Sequence, residues 1–138
     1  MNSSAAPILV IGRQGQLALS LASLRRPDVV CMGRPECDLA DPAKLADLVA
    51  RVSPRLVLNA GGFTKVDQAE SQAEEAYALN RDGPAALARI CASAGIPLIH
   101  VSTDCVFDGR KPAPYTPDDT PNPLSVYGRS KLEGEEAV

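Results

Sequence analysis

Short unbroken apolar runs alternate along the chain with longer stretches in which apolar positions recur at helical spacing. Residues 7–11 (PILVI) read as a buried strand, and residues 15–24 (GQLALSLASL) as the helix after it. Val29–Met32 is a second strand. Pro42–Val52 carries Leu45, Leu48, Val49 and Val52 on one face, so a helix is expected there, with Asp41 as its N-cap. Residues 55–59 (RLVLN) form a third strand. Residues 70–94 are helical, with Ala76, Leu79, Leu87 and Ile90 apolar, and Gly83-Pro84 predicts a bend or break inside them. A fourth strand is expected over residues 97–102 (PLIHVS). Residues 107–123 make a loop rich in Pro, Asp and Gly, and helical character resumes over residues 124–138.

Alternating strands and helices with apolar strands predict an α/β fold, a doubly wound parallel sheet. Right-handed crossovers lead to an expected strand order of 3-2-1-4. The crevice would then lie between the C-terminal ends of strands one and four, and the loops after those strands would carry the chemistry.

Bulk properties narrow the function classes. The 138 residues are one domain in size, and 45% hydrophobic residues can fill a core. A net charge of −3 argues against a nucleic-acid surface. No apolar run reaches the roughly 18 residues that span a bilayer, and the N-terminus, MNSSAAP, lacks the pattern of a secretory signal. Cys31, Cys37, Cys91 and Cys105 form no C-x-x-C pair and no zinc-like spacing. They read as free thiols of a cytoplasmic protein, and no metal site is expected.

Gly12-Arg13-Gln14-Gly15-Gln16-Leu17-Ala18 follows the first strand and opens the first helix. In this G-x-x-G-x-x-A turn, Gly12 suits a tight bend, Gly15 admits a pyrophosphate, and Ala18 allows close helix–strand packing. Backbone N–H groups at the helix start would face the phosphates. A pair of glycines is weak evidence alone; its place after the first strand strengthens it. The second strand ends in Gly33-Arg34, and Arg34 could pair with the 2′-phosphate of NADP; a solvated loop arginine is nearly as good a reading. Asp38 could order its loop or lie near the adenine. Asn59-Ala60-Gly61-Gly62 ends the third strand with small residues that permit cofactor approach, or simply a flexible loop.

Tyr127 and Lys131 stand four apart on the last helix and so share a face. They follow Asn122-Pro123, a good helix start, and a strand ending in Ser102-Thr103-Asp104. Hydride addition to a carbonyl leaves an alkoxide that needs a proton. A phenol ordinarily holds its proton to about pH 10, and a neighbouring ammonium together with the oxidised nicotinamide ring favours its release. Lys131 could also bond the nicotinamide ribose, and Thr103 could orient the substrate carbonyl.

With these motifs the chain resembles the extended short-chain dehydrogenase/reductases, and within them the dTDP-4-dehydrorhamnose reductases. The matching segments are GRQGQL from Gly12, NAGGFTKVDQAE from Asn59, NRDGP from Asn80, STDCVFDG from Ser102 and NPLSVYGRSKLEGEEAV from Asn122. They occur in family order over nearly the whole chain. The resemblance implies a catalytic set of Thr103, Tyr127 and Lys131. It implies NADPH or NADH contacts at Gly12, Gln14, Gly15, Gln16, Leu17, Asp38, Leu39, Asn59, Ala60 and Gly61, and substrate contacts at Thr64 and Val66. The implied reaction reduces the 4-keto group of a dTDP-sugar, dTDP-4-dehydro-L-rhamnose, to dTDP-L-rhamnose, with Tyr127 as proton donor. A homodimer is compatible with it; nucleic acid and membrane are not implied as partners. Residues 1–138 would form the NAD(P)-binding Rossmann-like domain, since family members are about twice as long, with the C-terminal substrate domain absent.

The sequence departs from the family pattern at Cys105, where a Tyr is usual, at Gly61-Gly62-Phe63, where Ala-Ala-Tyr is more usual, and at Ala18 in place of Gly. The first two are expected to loosen the site. His100 reads as a satisfied core or edge histidine, Asp118-Asp119 as a solvated turn, Glu133, Glu135 and Glu136 as a solvated face, and Glu70 as a cap of the next helix. Two alternatives stand beside the reductase. One is a non-catalytic NADP-binding regulatory module, as some family relatives are for methionine adenosyltransferase. The other is a sugar-nucleotide epimerase or dehydratase, although those usually carry a fuller three-glycine turn. The Tyr–Lys pair favours the reductase over the regulatory module, and the segment Ser102-Thr103-Asp104-Cys105-Val106-Phe107 favours it over the epimerase or dehydratase.

Overall fold

The computed structural model describes residues 6–138. Residues 1–5, part of the N-terminus expected to lack a secretory signal, lie outside the described residues. Four strands form one parallel sheet: β1 (Ile8–Ile11), β2 (Val29–Met32), β3 (Leu56–Asn59) and β4 (Leu98–His100). Helices α1 (Gln16–Ser23), α2 (Pro42–Val52) and α5 (Gly83–Ala94) connect them in turn. The doubly wound α/β class expected from the alternation is found.

The order is β2-β1-β3-β4, not 3-2-1-4. Right-handed crossovers fix the face on which a connecting helix lies, but not the side of β1 on which the next strand docks. Here the chain reverses after β2, and α2 carries it back past β1. The switch point therefore falls between β1 and β3, and β4 forms one edge of the sheet. Ile99 on that edge is 51% exposed.

The central strand is buried throughout its last three residues, Leu9, Val10 and Ile11. Leu9 and Ile11 pack with Leu45, Leu48 and Val49 of α2, Val57 of β3, and Leu87 and Cys91 of α5. Each such leucine contributes about 1.5–3 kcal/mol by burial. Asp41 caps α2 as expected, its carboxylate accepting from the Lys44 N–H at 3.1 Å. The four cysteines are unpaired.

The region 70–94 is not one helix. Short helices α3 (Val66–Ala69) and α4 (Ala73–Tyr77) lead into a π-helical turn, Ala78–Asp82, and then directly into α5. Gly83 and Pro84 occupy the first positions of α5, so the expected boundary between two helical elements falls at Gly83. The Gly83 N–H donates back to the Ala78 carbonyl across the π-helical turn, and Pro84, which has no N–H to donate, follows it. The last helix, α6 (Val126–Glu136), is capped by Ser125, whose hydroxyl accepts from the Gly128 N–H at 3.0 Å. Its start thus lies beyond the Asn122-Pro123 expected to begin it.

Candidate functional site

The glycine turn sits at the C-terminal end of β1. Gly12 has φ +119°, a conformation that side chains rarely adopt, and a Cβ there would lie 3.3 Å from the backbone of Ala60 and Gly61. The ends of β1 and β3 therefore meet at the switch point, tied by the Ala60 N–H donating to the Ile11 carbonyl at 2.9 Å. Gly15 differs. Its φ is −74°, which any residue adopts, and a Cβ there would meet nothing within 4 Å. Nothing among the described residues requires glycine at this helix start. The open space above it, flanked by exposed Gln14, Gln16 and Leu17, fits the close approach of a pyrophosphate to the N–H groups of α1. Ala18 is buried beneath, as the packing role requires.

Beside this turn, Gly33 at the end of β2 packs against Arg13, leaving 2.7 Å between a would-be Cβ and the Arg13 Cβ. Arg13 faces Glu36 at 3.6 Å. Arg34 is exposed and makes no ion pair among the described residues. Asp38 orders its own loop, accepting from the Ala40 N–H at 2.9 Å. Leu39 is only 6% exposed and belongs to the core.

The loop after β3 is tightly held, contrary to the loosening expected from its glycines. Asn59 is fully buried. Its Oδ1 accepts from the Gly61 N–H at 3.1 Å, and its Nδ2 donates to His100 Nδ1 at 3.1 Å. A Cβ at Gly61 would come within 3.0 Å of Leu39, and one at Gly62 within 2.7 Å of Asn80 Oδ1. Neighbouring side chains thus fill the volume that larger residues would take. Thr64 and Val66 follow, both exposed.

His100 gains in Asn59 a partner that the sequence did not reveal. Burial, and secondarily the charge of Lys131, push its pKa down to about 4. It is therefore neutral near pH 7, with Nδ1 accepting and the proton on Nε2. That buried Nε2 has no partner among the described residues.

The catalytic candidates lie on two segments that pack against each other beyond β4. Thr103 caps a 3₁₀ turn, Asp104–Val106, accepting from the Cys105 N–H at 3.2 Å and donating to Asp104 at 3.3 Å. This turn packs on α6 where Gly128 meets the Cys105 carbonyl, a contact too close for any side chain at Gly128. Tyr127 is the residue before that contact. Lys131, one helical turn on, is 6% exposed and donates from Nζ to the Val101 carbonyl at 2.5 Å. Burial lowers its pKa, and the Glu135 carboxylate opposes that shift. Glu135 is itself held by the Ser102 hydroxyl. An ammonium has three donors, so two remain for other groups.

Several residues that shape the site went unread. Asn80 and Ser130 are fully buried and bond each other at 3.0 Å. Asn80 stands four residues after Ala76 and three before Gly83, on the buried stripe; a polar residue in an apolar stripe was the available signal. Glu70 caps α6 rather than the next helix, accepting from the Val126 N–H at 2.8 Å across 56 residues. Arg81 bridges to Glu133 of α6 at 3.1 Å and lies over the Tyr77 ring. Among the described residues no group of three or more His, Cys, Asp or Glu is placed to hold a metal ion, and no helix is long and apolar enough to cross a membrane. A cleft of about 660 Å³ between α2 and α5 is lined by Val49, Ala50, Ile90 and Ala94. It lies at the C-terminal ends of those helices, at the opposite end of the sheet from the strand ends that form the site.

Known proteins match this chain in both sequence and fold. Residues 6–138 match the family described as the RmlD substrate binding domain. A dTDP-4-dehydrorhamnose reductase from Sinorhizobium fredii is 50% identical over 133 residues, 95% of this chain and 45% of that protein. A crystal structure of a dTDP-4-dehydrorhamnose reductase from Clostridium acetobutylicum superposes with a TM-score of 0.91 at 34% identity, over 96% of this chain and 48% of the other. The enzyme of that name from Bacillus anthracis, in complex with NADP, gives 0.92 at 30% identity, over 97% and 49%. The chain thus spans about half the length of the relatives it matches, and it belongs to the RmlD substrate binding domain family.

Proposed function

We propose that the chain is the cofactor-binding half of a dTDP-4-dehydrorhamnose reductase, reducing the 4-keto group of dTDP-4-dehydro-L-rhamnose with NADPH or NADH. The observation that carries this reading is the pairing of two features at one end of the sheet. One is a glycine, Gly15, whose conformation and surroundings do not need glycine. The other is a buried Lys131 on the same face of α6 as Tyr127. The relatives named above, one of them in complex with NADP, support the same cofactor and substrate.

When bound, NAD(P)H supplies a hydride to the carbonyl carbon. The N–H groups at the start of α1, with Gly12, Gln14, Gly15, Gln16 and Leu17, hold the pyrophosphate. Asp38, Ala60 and Gly61 would border the nucleotide, with Leu39 and Asn59 buried behind them holding the loops in place, and Arg34 would meet the 2′-phosphate of NADPH. Thr103 orients the carbonyl. Tyr127 donates its phenolic proton to the alkoxide oxygen, and Lys131 stabilises the phenolate left behind. Thr64 and Val66 border the sugar. Cytoplasmic residence and a homodimer complete the proposal; the unpaired thiols agree with the former.

The test is loss of reduced-nicotinamide absorbance when the protein meets NADPH and the keto-sugar nucleotide. Tyr127→Phe should lower kcat/KM by about 10²- to 10⁴-fold, the usual worth of a general acid, while NADPH still binds. Equal rates in the two proteins would overturn the role of Tyr127. Binding of NADPH by the unaltered protein without turnover would favour the regulatory module.

A further inference from the structure

We propose that Glu135, pinned by Ser102, is a positioning residue that supplies the counter-charge of the buried Lys131 ammonium; its part in turnover rests on the reading of Tyr127 and Lys131 as the reacting pair. Glu135 stands four residues after Lys131 on the last turn of α6, so the two share a helix face. From the sequence it reads as part of a solvated face, and it is exposed. Yet the Ser102 hydroxyl donates to its Oε1. Ser102 lies between Thr103 and Val101, whose carbonyl accepts from Lys131 Nζ at 2.5 Å. The segment after β4 is therefore bonded to α6 at two positions one turn apart. One bond holds the ammonium, and the other holds the carboxylate. Among the described residues Lys131 forms no direct ion pair, so its two remaining donors stay free.

The helix by itself does not favour this carboxylate. The last turn of α6 carries no basic residue, and an acidic group there meets the negative end of the helix dipole. A lysine followed by a glutamate four residues on is also the weaker order for a pair on a helix. Ser102 offsets both, since a hydrogen bond to a carboxylate favours its charged form. Lys131 in turn needs a counter-charge, because burial favours the neutral amine, and Glu135 is the carboxylate that opposes this. The other charged groups around α6 are engaged or exposed. Arg81 pairs with Asp82 and Glu133. Glu70 accepts from the Val126 N–H, and Asp104 from the Thr103 hydroxyl and the Cys105 thiol. Lys65, Asp67, Glu74, Glu75, Arg129 and Glu136 are exposed, and His100 on β4 is neutral near pH 7.

The test separates charge from shape. Lysines labelled at Cε with ¹³C give four signals, for Lys44, Lys65, Lys111 and Lys131, and Lys131→Met assigns the fourth. Glu135→Gln keeps the length and an acceptor for Ser102 but removes the charge; Ser102→Ala keeps the charge and releases it. Glu135 is exposed, so its variants should fold. In both variants the pH midpoint of the Lys131 signal should fall, further in Glu135→Gln than in Ser102→Ala, while the other three stay. Glu135→Asp, which restores the charge at shorter reach, should recover part of the shift. The alkaline limb of the kcat/KM profile should move the same way. A Lys131 midpoint unchanged in folded Glu135→Gln, or the other lysines moving equally, would overturn the proposal; a midpoint unchanged in Ser102→Ala alone would overturn the pinning by Ser102. If the unaltered protein shows no turnover, the proposed reaction fails, and the lysine midpoints still decide whether Glu135 is the counter-charge.

Discussion

Lys131 is a buried ammonium whose nearest partner is a backbone carbonyl at the end of β4. That bond fixes its direction and leaves two donors for the proposed contacts with the ribose and the phenol. Its spacing from Tyr127 was legible in the sequence; its burial was not, because burial depends on β4 and on the turn at Cys105. The same holds for Asn59 and His100, 41 residues apart and bonded. His100 yields a prediction with a definite sign. Its pKa is about 4 in the folded chain and about 6.5 unfolded. Between those values the unfolded chain binds a proton that the folded chain does not, so stability present above 6.5 is lost as pH falls toward 4. Urea midpoints at neutral pH and near pH 5 should therefore differ more for the unaltered chain than for His100→Gln. Arg34 gives a second prediction. It is exposed and free of ion pairs among the described residues, so Arg34→Ala should weaken NADPH binding roughly tenfold, the scale of one hydrogen bond to a charged group, and leave NADH binding unchanged. Equal losses for both cofactors, measured by calorimetry, would remove it from the 2′-phosphate.

At the scale of elements, periodicity located most of the strands and helices within a residue or two, because one buried face repeats locally. It failed where structure is fixed by distant partners. The loop 107–123 reads as irregular, yet Asp108 gathers the Tyr115 hydroxyl at 2.9 Å, the Asn122 amide at 2.9 Å and the Arg110 N–H at 3.0 Å. Those bonds, led by the Arg110 N–H, hold its carboxyl at about 2. No periodicity announces such a hub. Helix α6 starts where Ser125 and Glu70 together satisfy its first N–H groups, and Glu70 comes from the far side of the π-helical turn. Glu70→Ala should cost about 1 kcal/mol, as for loss of a helix cap, read as a shift in the urea midpoint. An unchanged midpoint would show that Ser125 suffices.

For the whole molecule, the alternation of elements gave the layer architecture, while the strand order was settled by which side of β1 received β3, a choice that apolar runs do not encode. The consequence is a switch point between β1 and β3, where Gly12 touches the Ala60-Gly61 backbone. All of the proposed cofactor contacts lie along that seam or at the ends of β2 and β4 that flank it. Calorimetric titration of the folded chain with NADPH tests this most directly, with Gly15→Asp as its partner. The variant has room for its side chain and an ordinary backbone, so it should fold as well as the unaltered chain while placing a carboxylate where the pyrophosphate would lie. Saturable one-to-one binding, lost in Gly15→Asp, is the predicted result; no binding by the folded chain, or equal binding by both, would contradict it.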